Sequence, residues 1–210
     1  EKAITPRTKA IIVNSPNNPT GVIYPQEALD GLGALLSRYE QPITVISDEP
    51  YKALTFDDAP VPEVPRSIPR TVIATSWSKA LPVPGERIGY LAISPRIPEG
   101  KDLFDACCFT LRTLGFVNAP ALWQRVVADV GRLTVDIGPY QLKRDLLFDG
   151  LTDIGYEVVK PDGAFYMFPR TPDPDDVAFV RRLQDEGVLA VPGSGFGRAG
   201  HMRLTLTVST

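Results

Sequence analysis

The sequence has few of the residues on which disulfide-bonded and metal-binding proteins depend. Its 210 residues include two cysteines and one histidine. The cysteines, Cys107 and Cys108, are adjacent, and neighbouring cysteines do not easily reach disulfide geometry with each other. A disulfide-stapled secreted scaffold is therefore excluded, and a reducing cytoplasm is favoured. A single histidine without clustered ligands also argues against a metal site.

Long apolar runs and an excess of positive charge are missing as well. No stretch approaches the roughly 20 consecutive apolar residues that a membrane-spanning helix needs. The net charge is −3, which argues against a nucleic-acid partner and against binding to an anionic membrane surface. Hydrophobic residues make up 43% of the chain, which is too many for an intrinsically disordered protein. The composition is that of a globular protein.

Short apolar runs alternate with amphipathic stretches in the first two thirds of the chain. A helix is predicted from Pro25 onward, because Leu29, Leu32, Leu35 and Leu36 form one helical face. Strands that alternate with helices indicate an α/β domain with a mainly parallel sheet. The strands are predicted at residues 9–13, 43–47, 71–75 and 88–93.

The pattern changes towards the C-terminus. Three helices are predicted, at about 101–113, 120–133 and 139–153, and shorter elements follow Gly155. We therefore expect an α/β domain over residues 1–136 and a smaller α+β domain over residues 137–210. The later elements are predicted as strands at 156–159 and 164–168, a helix at 175–186, and strands at 188–191 and 201–207.

Polar side chains follow the first three predicted strands, where ligands bind in open α/β sheets. A lysine in a partly apolar pocket attacks carbonyls, a carboxylate keeps a heterocyclic nitrogen protonated, and hydroxyls with an arginine hold a phosphate. A carbonyl, a ring nitrogen and a phosphate together describe pyridoxal phosphate (PLP). Each residue alone has an ordinary structural explanation, so the interpretation depends on their joint occurrence. The polar side chains are those of Asn18, Asp48, Tyr51, Ser76, Ser78, Lys79 and Arg87.

Five phrases of the sequence resemble class I/II aminotransferases, the aspartate-aminotransferase-like branch of PLP fold type I. The resemblance runs essentially from end to end. It implies a partial large PLP-binding domain with a mainly parallel sheet over 1–136 and a small C-terminal domain over 137–210. The phrases are NSPNNPTG at 14–21, SDEPY at 47–51, SWSKALPVPGERIG at 76–89, GAFYMFP at 163–169 and HMRLTL at 201–206.

The resemblance implies a catalytic role for three residues. Lys79 is similar to the Schiff-base lysine, which also moves a proton between the substrate α-carbon and C4′ of the cofactor. Asp48 is similar to the aspartate that holds the pyridinium nitrogen charged, so that the ring acts as an electron sink. Tyr51 and Asn18 resemble the pair that hydrogen-bonds the cofactor 3-oxygen.

The resemblance also implies ligands for the phosphate and for the substrate. Ser76 and Arg87 are similar to phosphate ligands, with Ser78 as a third. Arg203 resembles the arginine that binds the substrate α-carboxylate, a bidentate task that suits a guanidinium better than an ammonium. Asn18 belongs to the same substrate-binding set. Arg112 resembles an arginine that crosses to a partner subunit in some dicarboxylate-specific relatives, although a surface arginine on a helix end is the favoured interpretation.

Two residues depart from the family pattern, and two of its segments are missing. Trp77 and Pro82 are unusual at their positions, but neither removes a functional group. The family's N-terminal part, with its phosphate loop and its stacked aromatic ring, and its final helix have no counterpart here. The chain starts without a methionine, so we expect it to be a fragment of a longer protein.

The combined expectation is a PLP-dependent aminotransferase that moves an amino group between an amino acid and a 2-oxo acid by a ping-pong mechanism. The resemblance implies a homodimer, and the cysteine usage favours a cytoplasmic location. Two alternatives share the same residues: a β- or γ-eliminating lyase of the carbon–sulfur lyase type, and an aminotransferase-like regulatory domain. The sequence does not identify the amino donor.

Overall fold

The computed structural model describes residues 2–208, which divide into two compact units. The sequence-based boundary between residues 136 and 137 stays a prediction. Two short early segments, Pro16–Ile23 and Leu54–Pro60, group with the second unit, although the sequence analysis placed them in the first domain. The first unit contains the segment up to Ser15, Tyr24–Ala53 and Val61–Val135, and the second unit also contains the chain from Asp136 onward.

The first unit is built on a four-stranded sheet with the order β1-β2-β3-β4. The first three strands are parallel, which confirms the predicted mainly parallel α/β sheet, while β4 runs antiparallel to β3. Val13 and Val45 are buried, as expected for apolar strands that helices cover. The strands are β1 (Ala10–Asn14), β2 (Thr44–Asp48), β3 (Thr71–Ser76) and β4 (Gly89–Ile93).

Five helices accompany this sheet, and two of them were not predicted. The unpredicted helices, α2 and α3, have four residues each, which is too short for a helical hydrophobic period to show in the sequence. Leu29 of α1 and Val64 of α2 pack with strand residues in one buried cluster. The helices are α1 (Gln26–Leu36), α2 (Val64–Ser67), α3 (Trp77–Ala80), α4 (Gly100–Thr113) and α5 (Ala121–Val130).

The second unit contains a small antiparallel sheet and two helices. Its three strands are ordered β5-β7-β6 and are shorter than predicted. The strand predicted at 164–168 begins only at Tyr166, after Ala164, whose φ of 58° lies in the left-handed region. The elements are α6 (Gly138–Asp153), β5 (Tyr166–Met167), α7 (Asp176–Asp185), β6 (Val191–Pro192) and β7 (Met202–Thr205).

The strand predicted at 156–159 is wrong. The carbonyl of Glu157 accepts one hydrogen bond from the backbone N–H of Arg170, at 2.8 Å, but no strand forms there. Val159 is 66% exposed, so its apolar side chain is not covered by the sheet. An apolar run in the sequence was therefore mistaken for a buried strand.

One surface of the first unit is strongly apolar. Phe104 and Leu111 of α4, together with Phe116 just after it, are 59%, 42% and 71% exposed and line one shallow depression. We call these three residues the α4 apolar face. Exposed apolar patches of this kind mark interaction surfaces more often than the rest of a protein surface does. Across residues 2–208, no helix combines the length and apolarity that crossing a membrane requires.

A buried arginine fixes the Leu54–Pro60 segment within the second unit. The side chain of Arg144, on α6, is only 2% exposed. Its Nη2 lies 2.7 Å from Oδ2 of Asp57, and its Nη1 donates to the carbonyl of Pro161 at 2.8 Å. The ring of Phe56 covers the guanidinium at 4.9 Å. One side chain therefore joins three separate parts of the chain.

Replacing this arginine is expected to destabilise the protein. Arg144→Met leaves the Pro161 carbonyl without its donor and Asp57 without its cation, so the free energy of unfolding should fall by about 2–4 kcal/mol. The control is Lys101→Met, because Lys101 is 85% exposed and its ion pair with Asp105 is open to solvent. That change should leave the free energy of unfolding close to that of the parent. Urea unfolding of both variants measures the difference, and equal effects would contradict the structural role of Arg144.

Candidate active site

The parallel register brings the candidate residue Asp48 together with Asn14 at the end of β1 and β2. Asn14 and Asp48 are the last residues of these strands and pair in register. Nδ2 of Asn14 donates to Oδ2 of Asp48 at 3.0 Å and to the Asp48 carbonyl at 3.1 Å. The Asp48 carboxylate is therefore oriented by a neutral donor.

Partial burial disfavours the charged form of Asp48. Loss of solvation raises the pKa of the Asp48 carboxyl above its ordinary value of 3.8. The hydrogen bond from Asn14 acts in the opposite direction, and the nearby Glu49 carboxylate raises the pKa further. A cation beside Asp48 would stabilise its ionised form.

Glu49 belongs to a separate ionic cluster. Its carboxylate is buried and accepts a hydrogen bond from the hydroxyl of Ser47 at 2.6 Å. Nζ of Lys52 lies 2.9 Å from the second oxygen and 2.8 Å from a carboxylate oxygen of Glu63. Successive side chains of a strand alternate in direction, so Ser47 and Glu49 share a face that Asp48 does not. The negative charge of Glu49 is thus compensated by the ammonium group of Lys52.

Lys79 and Tyr51 lie near each other within the first unit. Lys79 is on α3, immediately after β3, and its Nζ is 6.0 Å from the centre of the Tyr51 ring. Tyr51 is only 5% exposed, and Lys79 is partly buried. The sequence placed Lys79 in a loop, whereas the structure places it on one turn of helix.

The antiparallel return of β4 explains the spacing between Lys79 and Arg87. Ser76 pairs with Gly89, and the backbone N–H of Trp77 donates to the carbonyl of Ile88 at 3.3 Å. The segment before β4 is thereby held beside the end of β3. Ser76 and Ser78 are partly buried. Arg87 is exposed, and its Nη1 donates to the carbonyl of Pro84 at 2.9 Å.

Within the second unit, Asn18 contacts Arg203 directly. Nη1 of Arg203, on β7, donates to Oδ1 of Asn18 at 2.9 Å. Over residues 2–208, Arg203 forms no ion pair with a carboxylate. Its partner is a neutral amide, so the positive charge of the guanidinium is not neutralised. A partly buried arginine in this state suits an anionic ligand.

A glycine positions the segment that carries Asn18. Gly21 has a φ of 72°, and a Cβ there would lie 2.5 Å from Cβ of Pro161. The Gly21 carbonyl accepts hydrogen bonds from the N–H groups of Asp162 and Gly163 at 3.0 and 2.9 Å. Gly21 thus permits both the left-handed turn and the close approach of its backbone to Pro161.

The chain matches the family model for aminotransferase class I and II over residues 1–210. The chain belongs to this aminotransferase family. The match confirms the predicted family membership. The aspartate/prephenate aminotransferase of Thermus thermophilus is 36% identical over 217 residues, which cover 99% of this chain and 54% of that protein.

Solved aminotransferase structures confirm the predicted PLP fold type I. An amino transferase from Eubacterium rectale has a TM-score of 0.95 and 40% identity, covering 99% of this chain and 53% of that one. The aspartate aminotransferase from Thermotoga maritima has a TM-score of 0.82 and 30% identity, covering 99% and 54%. The chain spans about half the length of these aminotransferases.

The structure adds functional partners that the sequence analysis did not identify. Asn14 is the first residue of the motif at 14–21, and the sequence indicates no function for it. Only the strand register shows that it orients Asp48. The rings of Tyr166 and Phe196 lie against Arg203, which no spacing rule reveals.

Trp77, one of the departures from the aminotransferase pattern, has a structural role. Its Nε1 donates to the carbonyl of Gly131 at 3.0 Å. A Cβ on Gly131 would lie 3.1 Å from Nε1 of Trp77, so the absence of a side chain there makes room for the indole. The pair anchors α3, and with it Lys79, to the end of α5.

The partial burial of Asp48 predicts a pH-dependent gain in stability from removing its charge. Its raised pKa means that the folded state binds this proton more tightly than the unfolded state does. Asp48 therefore lowers stability as pH rises above about 4. Cofactor-free Asp48→Asn should resist urea better than the parent at pH 7, with the gap closing as pH falls towards 4.

The control for this experiment is Asp129→Asn, which alters an exposed aspartate on α5. Urea unfolding of both variants across the same pH range gives the comparison. If Asp48→Asn were no more stable than the parent at pH 7, the inferred desolvation of Asp48 would be wrong.

Proposed function

We propose that this protein is a PLP-dependent aminotransferase that moves an amino group between an amino acid and a 2-oxo acid in two half-reactions. The observation that carries the proposal is the Asn14–Asp48 pair at the strand ends. It occurs in a chain that matches the aminotransferase family over residues 1–210. The relatives that carry aspartate in their names make L-aspartate the first amino donor to test.

The residues of the first unit fit the cofactor by their chemistry. PLP, when bound, supplies a carbonyl that accepts an amine and a ring that takes up negative charge. A carboxylate that has lost part of its solvation suits a protonated ring nitrogen, and Asp48 is such a carboxylate. Asn14 keeps the oxygen atoms of Asp48 in one orientation. These two side chains would hold the proton on that nitrogen.

Lys79 is proposed as the residue that performs the proton transfer. Its amine would hold the cofactor carbonyl between turnovers, and once displaced by the substrate its Nζ would carry the proton from the substrate α-carbon to C4′ of the cofactor. Tyr51 would donate its phenolic hydrogen to the cofactor 3-oxygen, with the amide of Asn18 as a second donor. Tyr51 is buried near Lys79, which supports a shared role.

The phosphate and the substrate carboxylate are assigned to the remaining polar residues. Ser76, Ser78 and Arg87 are proposed to bind the phosphate, for which hydroxyls and a guanidinium are suited. Arg203 is proposed to bind the substrate α-carboxylate through a bidentate contact. Support comes from its neutral partner, Asn18, which holds the guanidinium without cancelling its charge.

The proposal includes a homodimer in the cytoplasm. The assembly follows from the resemblance to aminotransferases whose active sites are shared between two subunits. The compartment is supported by Cys107 and Cys108, which are free thiols on α4. Unpaired cysteines suit a reducing environment.

The deciding experiment compares the full-length protein with Lys79→Ala, in the presence of PLP. Removing the amine should lower kcat for L-aspartate at least about 10⁴-fold, because both the covalent attachment and the proton transfer depend on Nζ. The visible absorbance of bound cofactor should change as well. Lys101→Ala, an exposed lysine on α4, should retain parent activity.

The products separate the alternative functions. Release of a 2-oxo acid without ammonia, followed by return of the amino group to a second oxo acid, supports transamination. Release of ammonia or a thiol would identify an eliminating lyase. A visible band that depends on Lys79 but never changes with amino acids would favour a regulatory domain. No such band in the folded full-length protein would overturn the cofactor assignment.

A further inference from the structure

Two aromatic rings lie against the guanidinium of Arg203. Its central carbon is 4.5 Å from the centre of the Tyr166 ring and 4.7 Å from the centre of the Phe196 ring. Both distances are within the range of about 6 Å in which a cation is attracted to an aromatic face. Arginine stacks on rings more readily than lysine does, because its guanidinium is planar.

The strand register explains how Tyr166 reaches Arg203. Tyr166 of β5 pairs with Thr205 of β7, and Arg203 lies two residues before Thr205 on the same strand. Residues two apart on a strand share a face, so Tyr166 and Arg203 are diagonal neighbours. Tyr166 is only 8% exposed, which fixes its ring in place.

Phe196 reaches Arg203 from a tight turn that has its own support. It ends the 3₁₀ turn Gly193–Phe196, which directly follows β6. The carboxylate of Asp176 is buried and accepts a hydrogen bond from the N–H of Ser194 at 2.6 Å. A Cβ on Gly193 would lie 2.3 Å from the carbonyl oxygen of Arg198, so this position admits only glycine. Backbone contacts therefore determine where the Phe196 ring lies.

Stacking and hydrogen bonding use different parts of the guanidinium. The rings attract its faces, whereas its five N–H groups point outward in its plane. One of these groups donates to Oδ1 of Asn18 at 2.9 Å, which sets the rotation of the group within that plane. The two rings and Asn18 together restrict the orientation of the guanidinium. A carboxylate then meets a pre-oriented fork, and less conformational entropy is lost on binding.

We propose that Tyr166 and Phe196 are positioning residues that hold Arg203 ready for the substrate α-carboxylate. The inference rests on the proposed function, in which Arg203 binds that group. Neither ring needs to touch the reacting atoms. Their effect is confined to how well a carboxylate is bound.

The test uses the full-length protein with PLP and two variants of Phe196. Phe196→Leu keeps an apolar side chain but removes the ring, while Phe196→Tyr keeps the ring. We expect Phe196→Leu to raise KM for L-aspartate and the calorimetric Kd for succinate about tenfold, with a smaller effect on kcat. Phe196→Tyr should stay near the parent in both. The corresponding pair at the other ring is Tyr166→Leu and Tyr166→Phe.

β-Alanine separates positioning from a general structural effect, because it is aspartate without the α-carboxylate. Its single-turnover rate with the cofactor-loaded protein should not change in Phe196→Leu. In an Arg203→Lys background, Phe196→Leu should add little further loss of aspartate binding. Equal losses for aspartate and β-alanine, or full additivity with Arg203→Lys, would overturn the inference. If Phe196→Leu does not fold, Tyr166→Leu is judged by the same criteria.

The outcomes also distinguish the two levels of the proposal. A parent that converts L-aspartate, loses affinity in Arg203→Lys and keeps it in both Phe196→Leu and Tyr166→Leu would overturn the positioning role alone. A folded parent that neither converts L-aspartate nor binds succinate would overturn the proposed carboxylate site, and the positioning role with it.

Discussion

Asp48 lies partly buried at the end of β2, so its ionised carboxylate has lost part of its solvation. The neighbouring residues of the first unit are arranged around this carboxylate. The parallel pairing of β1 with β2 sets Asn14 beside it in register. The amide returns part of the lost hydrogen bonding without supplying a positive charge. The neighbouring charge of Glu49 is compensated separately by Lys52. Asp48 is therefore an acid whose ionised form a cation would stabilise, as the proposed function requires.

In the second unit, the positive charge of Arg203 has a similar environment. Arg203 is held by the amide of Asn18 and by aromatic rings, and none of these neutralises its charge. An asparagine side chain carries both a donor and an acceptor, so it can orient a carboxylate through its nitrogen or a guanidinium through its oxygen. Asn14 and Asn18 perform these two tasks. In both units a neutral partner gives orientation and leaves the charge available to a ligand.

The sequence predicted the parallel strands and long helices because their hydrophobic periods are local, and its motifs indicated the family. The run at 156–159 has the same apolar character but meets no partner strand, so local pattern alone misassigned it. Long-range contacts were equally out of reach. The helical turn that carries Lys79 has four residues. The grouping of Leu54–Pro60 with the second unit involves Arg144, which lies far along the chain. The site's residues could be named, but their partners required the fold.

The α4 apolar face affects how readily molecules of this chain associate with one another in solution. Its three aromatic and aliphatic side chains are 42%, 59% and 71% exposed on one surface. The free energy of the solution falls when such a surface meets another like it, because apolar area is removed from water. The net charge of −3 supplies only weak electrostatic repulsion between molecules. The α4 apolar face therefore lowers the colloidal stability of these 210 residues by themselves.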